Sequence, residues 1–296
     1  MGSSMSPRLF AAAMMMAASF CYALMSAISR SLGQEVPTGQ IVFFRAAVAV
    51  LPVVIWLSWR GRLRGWWRTR RPMGHAWRSL FGGASLFLHF AALALVPLAE
   101  VSAINYLVPL MIVALAAFVL KERIWGARLV AVLVGLAGAA LIVAPKLGQG
   151  LPTGGEGLGV LLVLSSTILT AAAMIQIRRL SETEQTGTIV LYFSLTVMVA
   201  SLTTIPFGWV MTSADQLLRL VAIGLIGGVA QILMTESYAR ADASFIAPFE
   251  YTGILWSISL GLILFAEVPA WITLAGAAIV LAASASLAWS ERRSHR

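Results

Sequence analysis

Apolar residues run along this chain in long blocks, separated by short polar stretches. Ten blocks stand out, at roughly 9–29, 38–59, 78–96, 100–120, 125–144, 157–177, 187–210, 217–238, 243–265 and 269–289. A hydrocarbon core of about 30 Å is crossed by about 20 apolar residues in a helix, so each block predicts one membrane-spanning helix. The connections hold the breakers, such as Gly33 with Pro37, Pro145 with Gly148, and Pro152 with Gly154 and Gly155. No linker is long enough to set apart a soluble domain. The expected fold class is an all-α polytopic membrane protein of ten transmembrane helices.

Composition narrows the classes further. Of the 296 residues, 59% are hydrophobic and 11% charged, against about 25% charged in a typical soluble domain. The mean hydropathy is +0.88. A single cysteine, Cys21, excludes an internal disulfide framework and any metal site built on several thiolates. No P-loop, GxSxG or HExxH motif occurs. Neither a metal, a cofactor nor a catalytic centre is therefore expected.

Charge orients the spans. With the N-terminus inside, the cytoplasmic set holds seventeen of the 21 Lys and Arg residues. It includes Arg60, Arg62, Arg64, Arg68, Arg70, Arg71 and Arg78 in the loop after span two; Arg30, Arg45, Lys146 and Arg219 are the exceptions. Positive residues concentrate on the cytoplasmic side, so both termini are expected there. The loop's alternating Arg and Trp suit anionic headgroups and the bilayer interface, and no nucleic-acid partner is implied.

The chain also repeats itself. Thr38–Arg45 reads TGQIVFFR, and Thr186–Phe193, 148 residues later, reads TGTIVLYF. Asn105-Tyr106 and Glu250-Tyr251 lie 145 apart, as do Glu122 and Glu267. The expected organisation is two five-helix repeats, 1–148 and 149–296, forming one transmembrane domain. An odd number of spans per repeat makes the halves inverted, the arrangement of secondary transporters with a site near the midplane.

Ten spans in two inverted halves, Phe43-Phe44-Arg45 in span two, and a glutamate after spans four and nine resemble the drug/metabolite transporter superfamily, EamA type. Ala247-Pro248-Phe249-Glu250-Tyr251 through Phe265-Ala266-Glu267-Val268-Pro269 is especially similar to that branch. There is a looser likeness to its bacterial aromatic amino acid exporters. The resemblance implies a multi-pass protein of the bacterial cytoplasmic (inner) membrane, with a cavity lined by spans one, three, four, six, eight and nine. It also implies that Arg45 belongs to the scaffold motif.

Ionisable groups at bilayer depth cost about 2.5–3.5 kcal/mol each on insertion scales, which singles out a few residues. Arg45 reads as scaffold or as a substrate contact; its counterpart in the second repeat is Phe193. Gly82, Ser85 and His89 form a small, polar stripe in span three that suits either a cavity or packing. Glu250, opposite Asn105 in the repeat, can bind an amine, carry a proton, pair with Arg240 or cap a helix. Glu236 has Arg240 at ion-pair spacing. Glu122 and Glu267, at span ends, read as scaffold. Tyr22, Phe90, Tyr106, Tyr238, Tyr251 and Trp256 offer aromatic walls for a pathway. The function expected is export of amino acids, aromatic ones included, or of similar small metabolites by alternating access. Uptake or exchange of a nucleoside derivative or cofactor is the first alternative, and a lipid flippase or membrane enzyme the second. Small-molecule substrate and lipid bilayer are the expected partners; monomer and homodimer stay open.

Overall fold

The computed structural model describes residues 7–32, 35–61, 68–93, 95, 104–105, 107–122, 126–147 and 155–265, with parts of 271–286. Its elements are α1 (Pro7–Ser31), α2 (Thr38–Trp59), α3 (Pro72–Leu93), α4 (Val108–Val119), α5 (Gly126–Leu147), α6 (Gly155–Leu180), α7 (Thr186–Leu202), a short 3₁₀ turn (Ile205–Phe207), α8 (Ala214–Arg240), α9 (Ala243–Glu250) and α10 (Thr252–Phe265). Among the described residues every element is helical, and five helical segments are long and apolar enough to cross a membrane. Three shorter apolar helices accompany them.

The helix faces turned outward are apolar, and polar side chains are buried among the apolar core. Ile55, Phe118, Leu218 and Ile263 are exposed on helix faces, whereas Gln231, Thr235, Ser237 and Ser166 are buried. Water would reverse that distribution, because an exposed apolar side chain gains nothing there. A lipid surround accounts for it, and the chain is a polytopic membrane protein.

Helix packing follows the repeat. α1 lies against α8 and α10, and α6 against α3 and α4. α2 packs on α8, and α7 on α3, while α2 meets α7 and α4 meets α9. Exchanging α1 with α6, α2 with α7, α3 with α8, and α4 with α9 and α10 returns the same set of neighbours. α2 and α8 approach each other backbone to backbone. A side-chain carbon added at Gly228 would lie 2.9 Å from the backbone of Ala49, and one at Gly224 would lie 2.7 Å from the carbonyl oxygen of Phe44. Small residues permit such backbone contact in membranes.

Two helix starts show how polar groups at the ends are satisfied. Ser213 and Gln216 form a reciprocal capping box at α8: Gln216 N–H donates to Ser213 Oγ (3.2 Å), and Ser213 N–H to Gln216 Oε1 (2.9 Å). α9 has no such cap from its own N-cap residue, Asp242. Glu122 supplies it from across the bundle. It accepts from the N–H of Ala243 (3.0 Å), the N–H of Ser244 (3.1 Å) and the hydroxyl of Ser244 (2.6 Å). Lys121, with φ of 54°, turns the chain after α4 and so aims Glu122 at α9. Glu122→Ala should therefore lower stability by about 1–3 kcal/mol, because it strands buried donors. A lowered melting temperature of the detergent-purified protein checks it; an unchanged one would remove the capping role. The equivalent Glu267 lies outside the described residues.

Span nine, expected as one helix over 243–265, is two. α9 ends at Glu250 and α10 begins at Thr252. Pro248 has no N–H and crowds the preceding turn. At the break, Thr252 Oγ1 donates to the carbonyl of Phe249 (2.7 Å), and Ile254 N–H to the carbonyl of Tyr251 (3.0 Å). The interruption falls beside the central cavity.

Candidate functional site

A cavity of about 550 Å³ opens between the two halves. All the spans expected to line it contribute, and α2 and α7 join them through Arg45 and Phe193. The mismatched last residues of the two repeated phrases therefore face the same space.

Its walls are held by two matching polar clasps. Ser85 Oγ on α3 hydrogen-bonds Thr170 Oγ1 on α6, and Ser85 and Ser166 exchange further bonds of 2.9–3.1 Å. Tyr22 on α1 donates to Gln231 Oε1 on α8 (3.1 Å) and to Met234 Sδ (3.7 Å). Tyr22 and Thr170 are 148 apart, and Ser85 and Gln231 are 146 apart. Equivalent positions thus join equivalent helices in each half.

The ionisable groups break this symmetry. Arg45 answers to Phe193, Glu250 to Asn105, and Arg78 to Gly224, 146 residues on. Arg78, expected in the cytoplasmic loop, is instead 2% exposed and sits roughly 9 Å inside the start of α3. Pro72 stands at the first position of that helix, where proline is favoured. That sequence signal would have begun the span six residues earlier and placed Arg78 within it. The guanidinium lies over the Phe193 ring, 4.0 Å from its centroid, a contact that contributes about 2 kcal/mol when desolvated. Gly82, one turn on, leaves the room: an added side-chain carbon there would strike the guanidinium and come within 3.0 Å of Phe193. Nε and Nη1 of Arg78 and Nε of Arg45 are buried without a hydrogen-bond partner among the described residues. Charges left so cost several kcal/mol, so the pair does not stabilise the fold by its own contacts.

Glu250 supplies the opposite charge. It lines the cavity at the break between α9 and α10, and Tyr238, buried behind it on α8, donates its hydroxyl to Oε1 at 2.6 Å. Arg240 pairs with Glu236 instead, at the predicted helical spacing. His89 and Asn105 line the cavity together, His89 Nδ1 within 3.2 Å of Asn105 Nδ2. Gly82, Ser85 and His89 all line it, as do Gly253, Ser257 and Gly261 beyond Glu250.

The aromatic residues divide. Tyr22 and Tyr251 line the space, and the Tyr251 ring packs where Gly135 on α5 has no side chain. Trp256 does not line it. Its indole N–H donates to the carbonyl of Met16 (3.2 Å), and its ring meets Phe20 edge-on at 5.2 Å. A buried indole N–H needs an acceptor, and α1 offers one. Tyr106 and the side chain of Phe90 lie outside the described residues. No cluster of His, Cys, Asp and Glu suited to a metal occurs among the described residues.

A bilayer-embedded helical bundle whose largely apolar cavity holds two arginines and a glutamate has the architecture expected of a small-molecule transporter. Comparison with known proteins places it more closely. The profile of the EamA-like transporter family matches residues 9–144 and again 157–289, so the chain belongs to that family and carries its domain twice. It is 30% identical to the pseudopaline exporter CntI of Pseudomonas aeruginosa over 93% of this chain and 94% of that one. It is 29% identical to a riboflavin transporter of Rhizobium johnstonii (95% and 92% covered) and 24% identical to an S-adenosylmethionine uptake transporter of Rickettsia prowazekii (90% and 88%). A solved crystal structure, 22% identical, shares the fold with a TM-score of 0.83 over 97% of this chain and 99% of its own.

Proposed function

We propose that the protein exports amino acids, aromatic ones among them, or closely similar metabolites across the bacterial cytoplasmic membrane. The single observation that carries this is the cavity's polarity: Glu250 suits an ammonium, Arg45 and Arg78 suit a carboxylate, and all three line one space. Tyr22, Phe193 and Tyr251 add aromatic surface for a side chain. The direction rests on the relative named as an exporter. Transport works by alternating access, the halves 1–148 and 149–296 rocking about the site, with both termini cytoplasmic. In proteoliposomes loaded with labelled aromatic and aliphatic amino acids, protein-dependent efflux is the expected result. No flux of any amino acid would sink the substrate class.

A second reading is uptake or exchange of a cofactor or nucleoside derivative, favoured by the relatives named for riboflavin and S-adenosylmethionine. A melting-temperature screen across metabolites separates the two, because a bound ligand raises the transition.

A further inference from the structure

We infer that Arg45 and Arg78 together form a two-guanidinium anion site, and that the transported molecule carries a second anionic group beside its amino-acid carboxylate. This rests on the reading of the cavity as the substrate site of an amino-acid-type transporter, and names its substrate class more narrowly.

Charge is the first argument. Arg8 and Arg178 meet Asp242, Arg71 meets Glu182, Arg219 meets Asp215 and Arg240 meets Glu236. Arg45 and Arg78 meet no carboxylate among the described residues, although they are the two that line the cavity. Glu250 is the single carboxylate among the described lining residues. With Glu250 ionised, the cavity holds one surplus positive charge. A zwitterion of one ammonium and one carboxylate leaves that surplus in place. A molecule with one ammonium and two carboxylates removes it.

Geometry is the second. Phe193 covers one face of the Arg78 guanidinium, and the bare Gly82 lets that group lie flat along α3. A guanidinium fixed in this way keeps its fork for planar, bidentate recognition of a carboxylate. The second repeat carries Phe193 where the first carries Arg45, so the cationic pole has a stacking platform in place of a third cation.

The test uses purified protein in detergent and four probes: L-glutamate, L-glutamine, succinate and inorganic phosphate. The expected result is binding of glutamate at least about tenfold tighter than its neutral isostere glutamine. Arg78→Gln should bring that ratio to near one, and Arg78→Lys should restore part of it. Gly82→Ala keeps the charge but displaces it, and should reduce the ratio in a protein whose folding is checked by its unliganded melting curve. Equal affinity for glutamate and glutamine in the unmodified protein, or an unchanged ratio in Arg78→Gln, overturns the anion site and leaves the amino-acid reading standing. Arg78-dependent binding of succinate or phosphate without glutamate keeps the anion site and overturns the amino-acid reading. Failure of all four probes to bind overturns both.

Discussion

Glu250→Gln is expected to cut amino-acid flux at least about tenfold and to flatten its dependence on pH. Glutamine keeps the shape and an acceptor for the Tyr238 hydroxyl, so the cavity wall survives. What it removes is the negative charge and the capacity to take up a proton. A hydrogen bond to a charged group contributes about 1.5–3 kcal/mol, and 1.4 kcal/mol is a factor of ten, which sets the size of the loss. Flux measured from about pH 5 to 8 in proteoliposomes separates the two roles. A normal KM with a flat pH profile leaves proton carriage alone; a raised KM with an unaltered profile leaves amine binding alone. If KM and pH profile both stay as in the unmodified protein, Glu250 has no part in the mechanism. Tyr238→Phe provides an intermediate case, because it strips one partner from Glu250 without touching its charge.

Gly228→Leu should prevent the protein from being recovered folded. The α2–α8 contact leaves no space for even one carbon: Ala49 backbone atoms stand at 2.9 Å and Pro52 at 2.5 Å from where it would sit. Those neighbours are backbone and a rigid ring, so no rotamer change relieves the overlap. Overpacking costs about 1–3 kcal/mol for modest additions, and Gly228→Ala should show a cost of that order. Leucine adds three further carbons and forces the helices apart. Size-exclusion profile and melting temperature in detergent check both variants; a wild-type melting curve for Gly228→Leu would show that α2 and α8 do not approach this closely.

Much of the architecture was legible in the chain. Apolar blocks mark helices because a membrane solvent demands about 20 such residues per crossing, and this holds whatever the helices pack against. The repeated TGxIV phrases fall at equivalent places in α2 and α7 because one backbone plan is used twice. The His89 stripe was visible for the same reason, since helical spacing alone places Gly82, Ser85 and His89 on one face. Arg78 was not. It stands at the end of a run of loop arginines, and hydropathy windows register its charge without its depth. Trp256 differs: on spacing it sits near the cavity face of α10, but its indole donates to Met16 on a distant stretch of chain, and it is not among the lining residues.

What the sequence by itself determined is the solvent, the helical class and the doubling, because each is set by local composition or by self-similarity. Only the tertiary structure decided which side chains line the cavity. Arg45, Arg78 and Glu250 come from three helices and both halves, and nothing in their spacing shows that they share one cavity. Phe193 beneath Arg78 and Glu122 capping α9 are likewise contacts between distant segments. Burial and charge compensation are properties of who the neighbours are, and neighbours are chosen when the helices pack.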